Sequence, residues 1–149
     1  MKVSEILKLK GNILFTVTPE TLLLDAIDTL AEKDIGSLVV MKSGALVGML
    51  SFREVMKAVH ESRGNITGTV GDYMDRDMLT IAPDTDVNDI RRIMLEHHAR
   101  YVPVLDGTML MGVMSFYDVA KAVFEEQNFE NKMLKAYIRD WPSESEKEG

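Results

Sequence analysis

The chain has 149 residues, enough for one compact domain, and 46% of them are apolar, so it can bury a core and is not a disordered polymer. It has no cysteine, which excludes a disulfide framework, a thiol nucleophile and any cysteine-based zinc site. A net charge of −7 and a pI near 4.9 argue against a general nucleic-acid binder, which needs a basic face, but they leave room for one local basic pocket for a phosphate.

Met1–Ile6 contain no long apolar stretch of the kind that targets secretion, and no apolar run approaches the roughly 18 residues of a membrane span. The expectation is a soluble, cytoplasmic protein without a membrane partner. An internal repeat organises most of the chain. Residues 16–59 align with residues 80–123 at a constant shift of 64, without a gap over 44 positions, of which 14 are identical. The identities include Pro19/Pro83, Asp25/Asp89, Gly48/Gly112, Ser51/Ser115, Phe52/Phe116 and Lys57-Ala58-Val59/Lys121-Ala122-Val123. Upstream, Val3–Leu7 is similar to Val70–Met74, and the first copy carries three extra residues around Lys10-Gly11-Asn12.

Each copy reads β-α-β-β-α. The first opens with a strand at Ile13-Leu14-Phe15-Thr16 and a turn at Pro19-Glu20-Thr21 that leads to a helix N-cap. Leu23, Ala26, Ile27, Leu30 and Ala31 then recur at helical spacing. Leu38–Met41, the turn Lys42-Ser43-Gly44 and Ala45–Leu50 read as a hairpin, and a helix begins at about Phe52. The linker Glu61–Gly68 is polar. The second copy repeats the order: a turn at Pro83-Asp84-Thr85, a helix with Val87, Ile90, Ile93 and Met94 on one face, a hairpin over Val102–Leu105 and Met109–Met114, and a helix from about Phe116. Pro103 lacks an N–H and suits an edge or strand-start position. Half a repeat cannot cover its own sheet, whereas two copies packed together can. The expected fold class is α/β (α+β): two β-α-β-β-α repeats packed as a pseudo-twofold pair, residues 1–63 and 64–127, plus a C-terminal helix at 128–142 and a loose acidic tail at 143–149. The C-terminal helix is read from a stripe of Phe129, Met133, Leu134, Tyr137, Ile138 and Trp141, ended by Pro142. That stripe either packs on its own module or makes a dimer contact.

Paired β-α-β-β-α units that each carry Gly-x-x-Ser-x-x-acid, here Gly48-Met49-Leu50-Ser51-Phe52-Arg53-Glu54 and Gly112-Val113-Met114-Ser115-Phe116-Tyr117-Asp118, resemble tandem CBS domains, also called Bateman modules. The resemblance covers about Val3 to Val123. It implies two clefts that hold AMP, ADP, ATP, S-adenosylmethionine or NAD, and a flat homodimer. The residues themselves fit. Ser115 falls where a helix N-cap belongs, beside free N–H groups and a helix dipole suited to phosphate. Asp118 lies three residues on, on the same face, where a carboxylate accepts both hydroxyls of a ribose. Gly112 permits close backbone approach.

The resemblance implies a main cleft built from Gly112, Val113, Met114, Ser115, Asp118 and Arg100, with Ser115 and Arg100 on phosphate and Asp118 on ribose. The base would lie against Ile35, Gly36, Leu14, Phe15 and Thr16, with Gly36 leaving it room. The second cleft would use Met49, Ser51, Arg53 and Glu54, with Ala99-Arg100 and Met78-Leu79-Thr80 towards the base. Glu54 is one methylene longer than the usual Asp, so the Asp118 cleft is expected to be the tighter.

Adjacent helical residues diverge by about 100°, so His97-His98 do not face one metal site. The 11 methionines read mainly as core packing. No nucleophile–base arrangement is suggested. The reading is therefore a non-catalytic regulatory module without a catalytic cofactor. It senses cellular energy or cofactor state through an adenine nucleotide, AMP first, and reports to an effector protein. The alternative is a ligand-free dimerisation scaffold of the same fold.

Overall fold

The computed structural model describes residues 1–11 and 14–140, apart from the side chain of Asp140. In chain order the elements are α1 (Val3–Lys10), β1 (Thr16–Val17), α2 (Leu23–Lys33), β2 (Ser37–Lys42), β3 (Ala45–Ser51), α3 (Phe52–Ser62), α4 (Val70–Tyr73), α5 (Val87–His97), β4 (Tyr101–Asp106), β5 (Met109–Ser115) and α6 (Phe116–Asp140).

The apolar spacing produces α2 and α5. Leu23, Ala26 and Leu30 are buried on the first, and Val87, Ile90 and Met94 on the second. Both helices end in a left-handed residue at equivalent positions, Asp34 and His98, each at φ 52°. Asp and His tolerate that conformation better than most side chains. The hairpins β2–β3 and β4–β5 are antiparallel, with a register shift at Val40/Met41 in one and at Val104/Leu105 in the other. Ser43 and Gly44 close the first with positive φ at both central positions, as a tight hairpin turn requires.

The two sheets differ at their outer edges: Met49 of β3 bridges Asp75, without a counterpart on β5 among the described residues, and the first strands differ too. β1 pairs in parallel with β2, Thr16 opposite Val39, and the Val39 N–H reaches Phe15 O. The residue equivalent to Val39 is Pro103, which has no N–H to give. In the second repeat the outer strand is reduced to a single parallel bridge, Ile81 opposite Val104, which bonds through Pro103 O and the Leu105 N–H. The proline thus sits on an edge, as its chemistry demands. The expected strand over 13–16 is shorter and later than its apolar run, and Ile13 lies outside the described residues.

The repeats are interleaved, and the sequential halves 1–63 and 64–127 do not coincide with the two cores. Helix α1 leads the first repeat but packs on the second: Val3, Ile6 and Leu7 share a core with Ile81, Val87, Ile90, Met94, Val102, Val104, Met114 and Val119. Its backbone is tied there, with the Val3 N–H on Thr85 O and the Ser4 N–H on Pro83 O. Helix α4 makes the reciprocal exchange. Val70 and Met74 join Leu23, Ala26, Leu30, Leu38, Val40, Leu50 and Ala58, while the Val70 and Gly71 N–H groups bond Thr21 O and Pro19 O. The same exchange caps α2 and α5. The first N–H of α2, Leu23, bonds Gly68 O, and that of α5, Val87, bonds Met1 O. Without those carbonyls both donors would be orphans, because Leu22 offers α2 no side-chain cap and Asp86 spends its own on Asn88 in α5.

The last repeat helix and the C-terminal helix, expected as separate elements, are one. Helix α6 runs unbroken from Phe116 to Asp140, since no Gly or Pro interrupts that stretch. Its first turns join the second core through Val119 and Ala122, and beyond them Phe129, Met133, Leu134 and Ile138 are exposed. Packing of that stripe back onto its own module is therefore not observed. Trp141, Pro142 and the tail lie outside the described residues. The methionines divide: Met49, Met74, Met94 and Met114 are buried, whereas Met56, Met109 and Met133 are exposed.

Candidate ligand-binding clefts

Two cavities, of about 650 and 630 Å³, are each lined by both repeats. That is the size range of small-molecule sites.

The smaller is the Asp118 cleft. Strand β5 alternates, so Met111, Val113 and Ser115 face the cleft while Met114 points into the core and is fully buried. Ser115 caps α6. Its N–H donates to Asp118 Oδ2 at 2.9 Å, and the Asp118 N–H donates to Ser115 Oγ at 3.0 Å. The same Oδ2 accepts from Lys10 Nζ at 2.7 Å, and Lys10 also donates to Val113 O at 2.9 Å. Among the described residues nothing bonds Asp118 Oδ1, and the Ser115 hydroxyl proton is uncommitted. The site thus keeps one acceptor and one donor for a ligand. The supply of free helix amides is smaller than expected, because the first N–H of α6, Phe116, donates to Arg100 O at 2.8 Å.

The larger is the Glu54 cleft. Here the carboxylate takes the cap hydroxyl as well as the cap N–H. Glu54 Oε1 accepts from the Ser51 N–H at 2.8 Å and from Ser51 Oγ at 2.7 Å, and the Arg53 N–H reaches Ser51 Oγ at 3.3 Å. Glu54 is only 7% exposed. The hydroxyl that stays free at Ser115 is spent at Ser51.

Of the residues expected in the main cleft, Leu14, Phe15, Ile35, Gly36, Gly112, Val113, Ser115 and Asp118 line it. Three do not. Met114 faces the core, Thr16 pairs in β1, and Arg100, expected at both clefts, lines only the Glu54 cleft, together with Met78. The carbonyl of Arg100 is anchored to α6 while its side chain opens to the other side of the strand. In the second cleft Met49, Ser51, Arg53, Glu54, Leu79 and Ala99 are in place, whereas Thr80 is exposed outside the cavity.

Two glycines each meet a side chain. A Cβ on Gly36 would collide with the Tyr101 hydroxyl, so in this structure that space is held by the end of the Tyr101 side chain. A Cβ on Gly112 would lie 3.0 Å from Leu7 Cδ2, so this glycine admits α1.

Sequence reasoning missed Tyr101, which lines both clefts; its counterpart is the small Ser37. It also missed Asp34 and His98, the left-handed helix ends, and the His97 wall. A left-handed Asp or His after a periodic stripe is a usable signal for a residue aimed off a helix end. Among the described residues no group of three or more His, Asp or Glu side chains is placed to hold a metal ion.

A duplicated, interleaved α/β unit with two clefts at its seam defines a paired-repeat module. Its family is equally plain: the chain belongs to the CBS domain family, which matches residues 3–61 and 70–125. It is 30% identical over 148 residues to the mitochondrial CBS domain-containing protein CBSX3 of Arabidopsis thaliana, covering 92% of this chain and 71% of that protein. The CBS-domain protein ATU1752 of Agrobacterium tumefaciens superimposes with a TM-score of 0.76 at 29% identity, over 82% of this chain and 98% of the other. CBSX2, solved in complex with AMP, superimposes with a TM-score of 0.73 at 24% identity, over 85% and 98%. Among the described residues no helix is long and apolar enough to cross a membrane.

Proposed function

We propose that this chain is a non-catalytic regulatory module that binds an adenosine-containing ligand between its repeats and signals occupancy to an effector protein. The observation that carries the reading is the Asp118 cleft. There a carboxylate only 14% exposed keeps Oδ1 unbonded beside the free Ser115 hydroxyl, in a cavity of about 630 Å³. A ribose diol is a matched pair of donors for that carboxylate. AMP in a relative of the same fold supports the choice of AMP as first ligand, with ADP, ATP, NAD and S-adenosylmethionine as the other compounds to compare.

Ligand binding orders the seam and shifts the relation of the repeats, which gives the effector something to read. A homodimer and a cytoplasmic setting belong to the same reading. The exposed apolar face of α6 at Phe124, Phe129, Met133, Leu134 and Ile138 supports a second copy as what covers it.

The test is titration calorimetry and thermal shift with the five compounds. Ligand at 100 times its Kd adds about 2.7 kcal/mol to the stability. A melting temperature unmoved by all five refutes ligand sensing and leaves a dimerisation scaffold.

A further inference from the structure

We propose that the two clefts select adenosine compounds of different charge: the Glu54 cleft a di- or triphosphate, the Asp118 cleft a compound with one phosphate or none. This rests on the adenosine reading above and goes beyond it.

The pseudo-twofold symmetry is broken in the cations that line the clefts. Lys10 is the only cation lining the Asp118 cleft among the described residues, and it is already held by Asp118 at 2.7 Å and by the Val113 carbonyl. The other charges there are the carboxylates Asp34 and Asp118. A polyphosphate entering that cleft meets two like charges and one cation that must be shared. A single phosphate asks only that Lys10 bridge it to Asp118.

The Glu54 cleft has two cations, and among the described residues neither is spent. Arg53 and Arg100 line it, both are exposed, and neither is in an ion pair among the described residues. Three acids line it too, Glu54, Asp75 and Asp77, so the difference between the clefts lies in the availability of their cations and not in formal charge. Glu54 Oε1 holds Ser51, and Asp75 Oδ1 accepts the Asp77 N–H at 3.0 Å. Two planar guanidiniums that are not spent elsewhere suit a chain of phosphates, which they can grip bidentately. His97 and His98 add ring N–H donors on the same wall. The residues equivalent to Arg100 and His98 in the other cleft are Gly36 and Asp34, so the difference sits at matched positions.

The experiment is calorimetric titration of the full chain with adenosine, AMP and ATP, in the wild type, in Arg53→Gln/Arg100→Gln and in Asp118→Asn. Both arginines are exposed, so the double variant keeps the fold, and Asn at 118 keeps an oxygen for the Ser115 cap. The double variant is expected to lose about tenfold or more in ATP affinity while AMP and adenosine are unchanged. Asp118→Asn is expected to do the opposite. Lys10→Gln, which leaves the cap untouched, is expected to weaken AMP but not ATP, and it serves as the readout if Asp118→Asn misfolds. Loss of AMP and ATP together in the arginine variant, or ATP binding that depends on Asp118 alone, overturns the division. Binding of AMP without any binding of ATP overturns it too, while leaving the adenosine reading intact. Silence with all three compounds removes both.

Discussion

Replacing Ile6 with Ala tests the interleaving at its root. Helix α1 has eight residues, too short to be stable alone. It holds its shape because Val3, Ile6 and Leu7, at 0%, 6% and 7% exposure, are buried among residues of the second repeat. Truncating a buried Ile costs about 2–5 kcal/mol, from lost transfer energy and the cavity left behind. For a chain of this size each kcal/mol moves the melting point by about 2–4 °C, so a fall of roughly 4–20 °C is expected. The location of the loss is more telling than its size. Native-state hydrogen exchange is expected to show faster opening in α5, β4 and β5, which share the core with Ile6, and unchanged protection in α2, β2 and β3, although Ile6 lies nearer to them in sequence. Leu30→Ala, in the other core, is expected to give the mirror pattern. If Ile6→Ala weakens the first repeat before the second, or both to the same degree, the assignment of α1 to the second core is wrong.

Asp118→Ala removes hydrogen bonds to a charged group, each worth roughly 1.5–3 kcal/mol, so AMP affinity is expected to fall about tenfold to a hundredfold by calorimetry. Glu54→Ala is expected to lower stability by about 0.5–2 kcal/mol in a chemical melt, because it strips the cap of α3, and to leave AMP binding intact. A chain ending at Gln127 keeps Val119, Ala122 and the Glu126–Met1 ion pair, so it is expected to stay folded and bind ligand but to lose the dimer in light scattering. A truncated chain that remains fully dimeric refutes the role of α6. Asp86 caps α5 through the Asn88 N–H, and that hydrogen bond holds its carboxyl below the usual range. A carboxyl depressed in the folded state stabilises above its unfolded pKa and loses that contribution as the pH falls through the folded value. Acid melts should therefore show a shallower loss of stability below pH ~4 in Asp86→Asn, which caps but does not titrate.

The repeat, its helices and its hairpins were legible because each is a local pattern. A stripe such as Leu23, Ala26 and Leu30 declares the face it buries without naming what covers it. The similarity of Val3–Leu7 to Val70–Met74 marked the two helices as equivalent, but nothing in either segment says that it docks on the other repeat. That rests on bonds such as the Val3 N–H to Thr85 O, made across more than half the chain. The glycines failed for a related reason. A glycine announces that something comes close, not whether it is a ligand, the Tyr101 hydroxyl at Gly36 or Leu7 at Gly112. Met114 was within reach, since period-two alternation from Val113 and Ser115 turns it inward. Arg100 was legible as a lining residue of the second cleft, but its absence from the first was not.

The exchange of α1 and α4 bears on how such a chain can arise. A gene encoding one repeat with its leading helix would yield a protein whose helix has no place on its own sheet and whose sheet lacks a cover. Two such chains would satisfy each other by trading helices, a domain-swapped dimer in the ordinary sense. Fusing such partners end to end would make the swap intramolecular and leave each half free to diverge. Pro103 in place of Val39, Tyr101 in place of Ser37 and Arg100 in place of Gly36 are substitutions that a symmetric pair of identical chains would have had to accept twice.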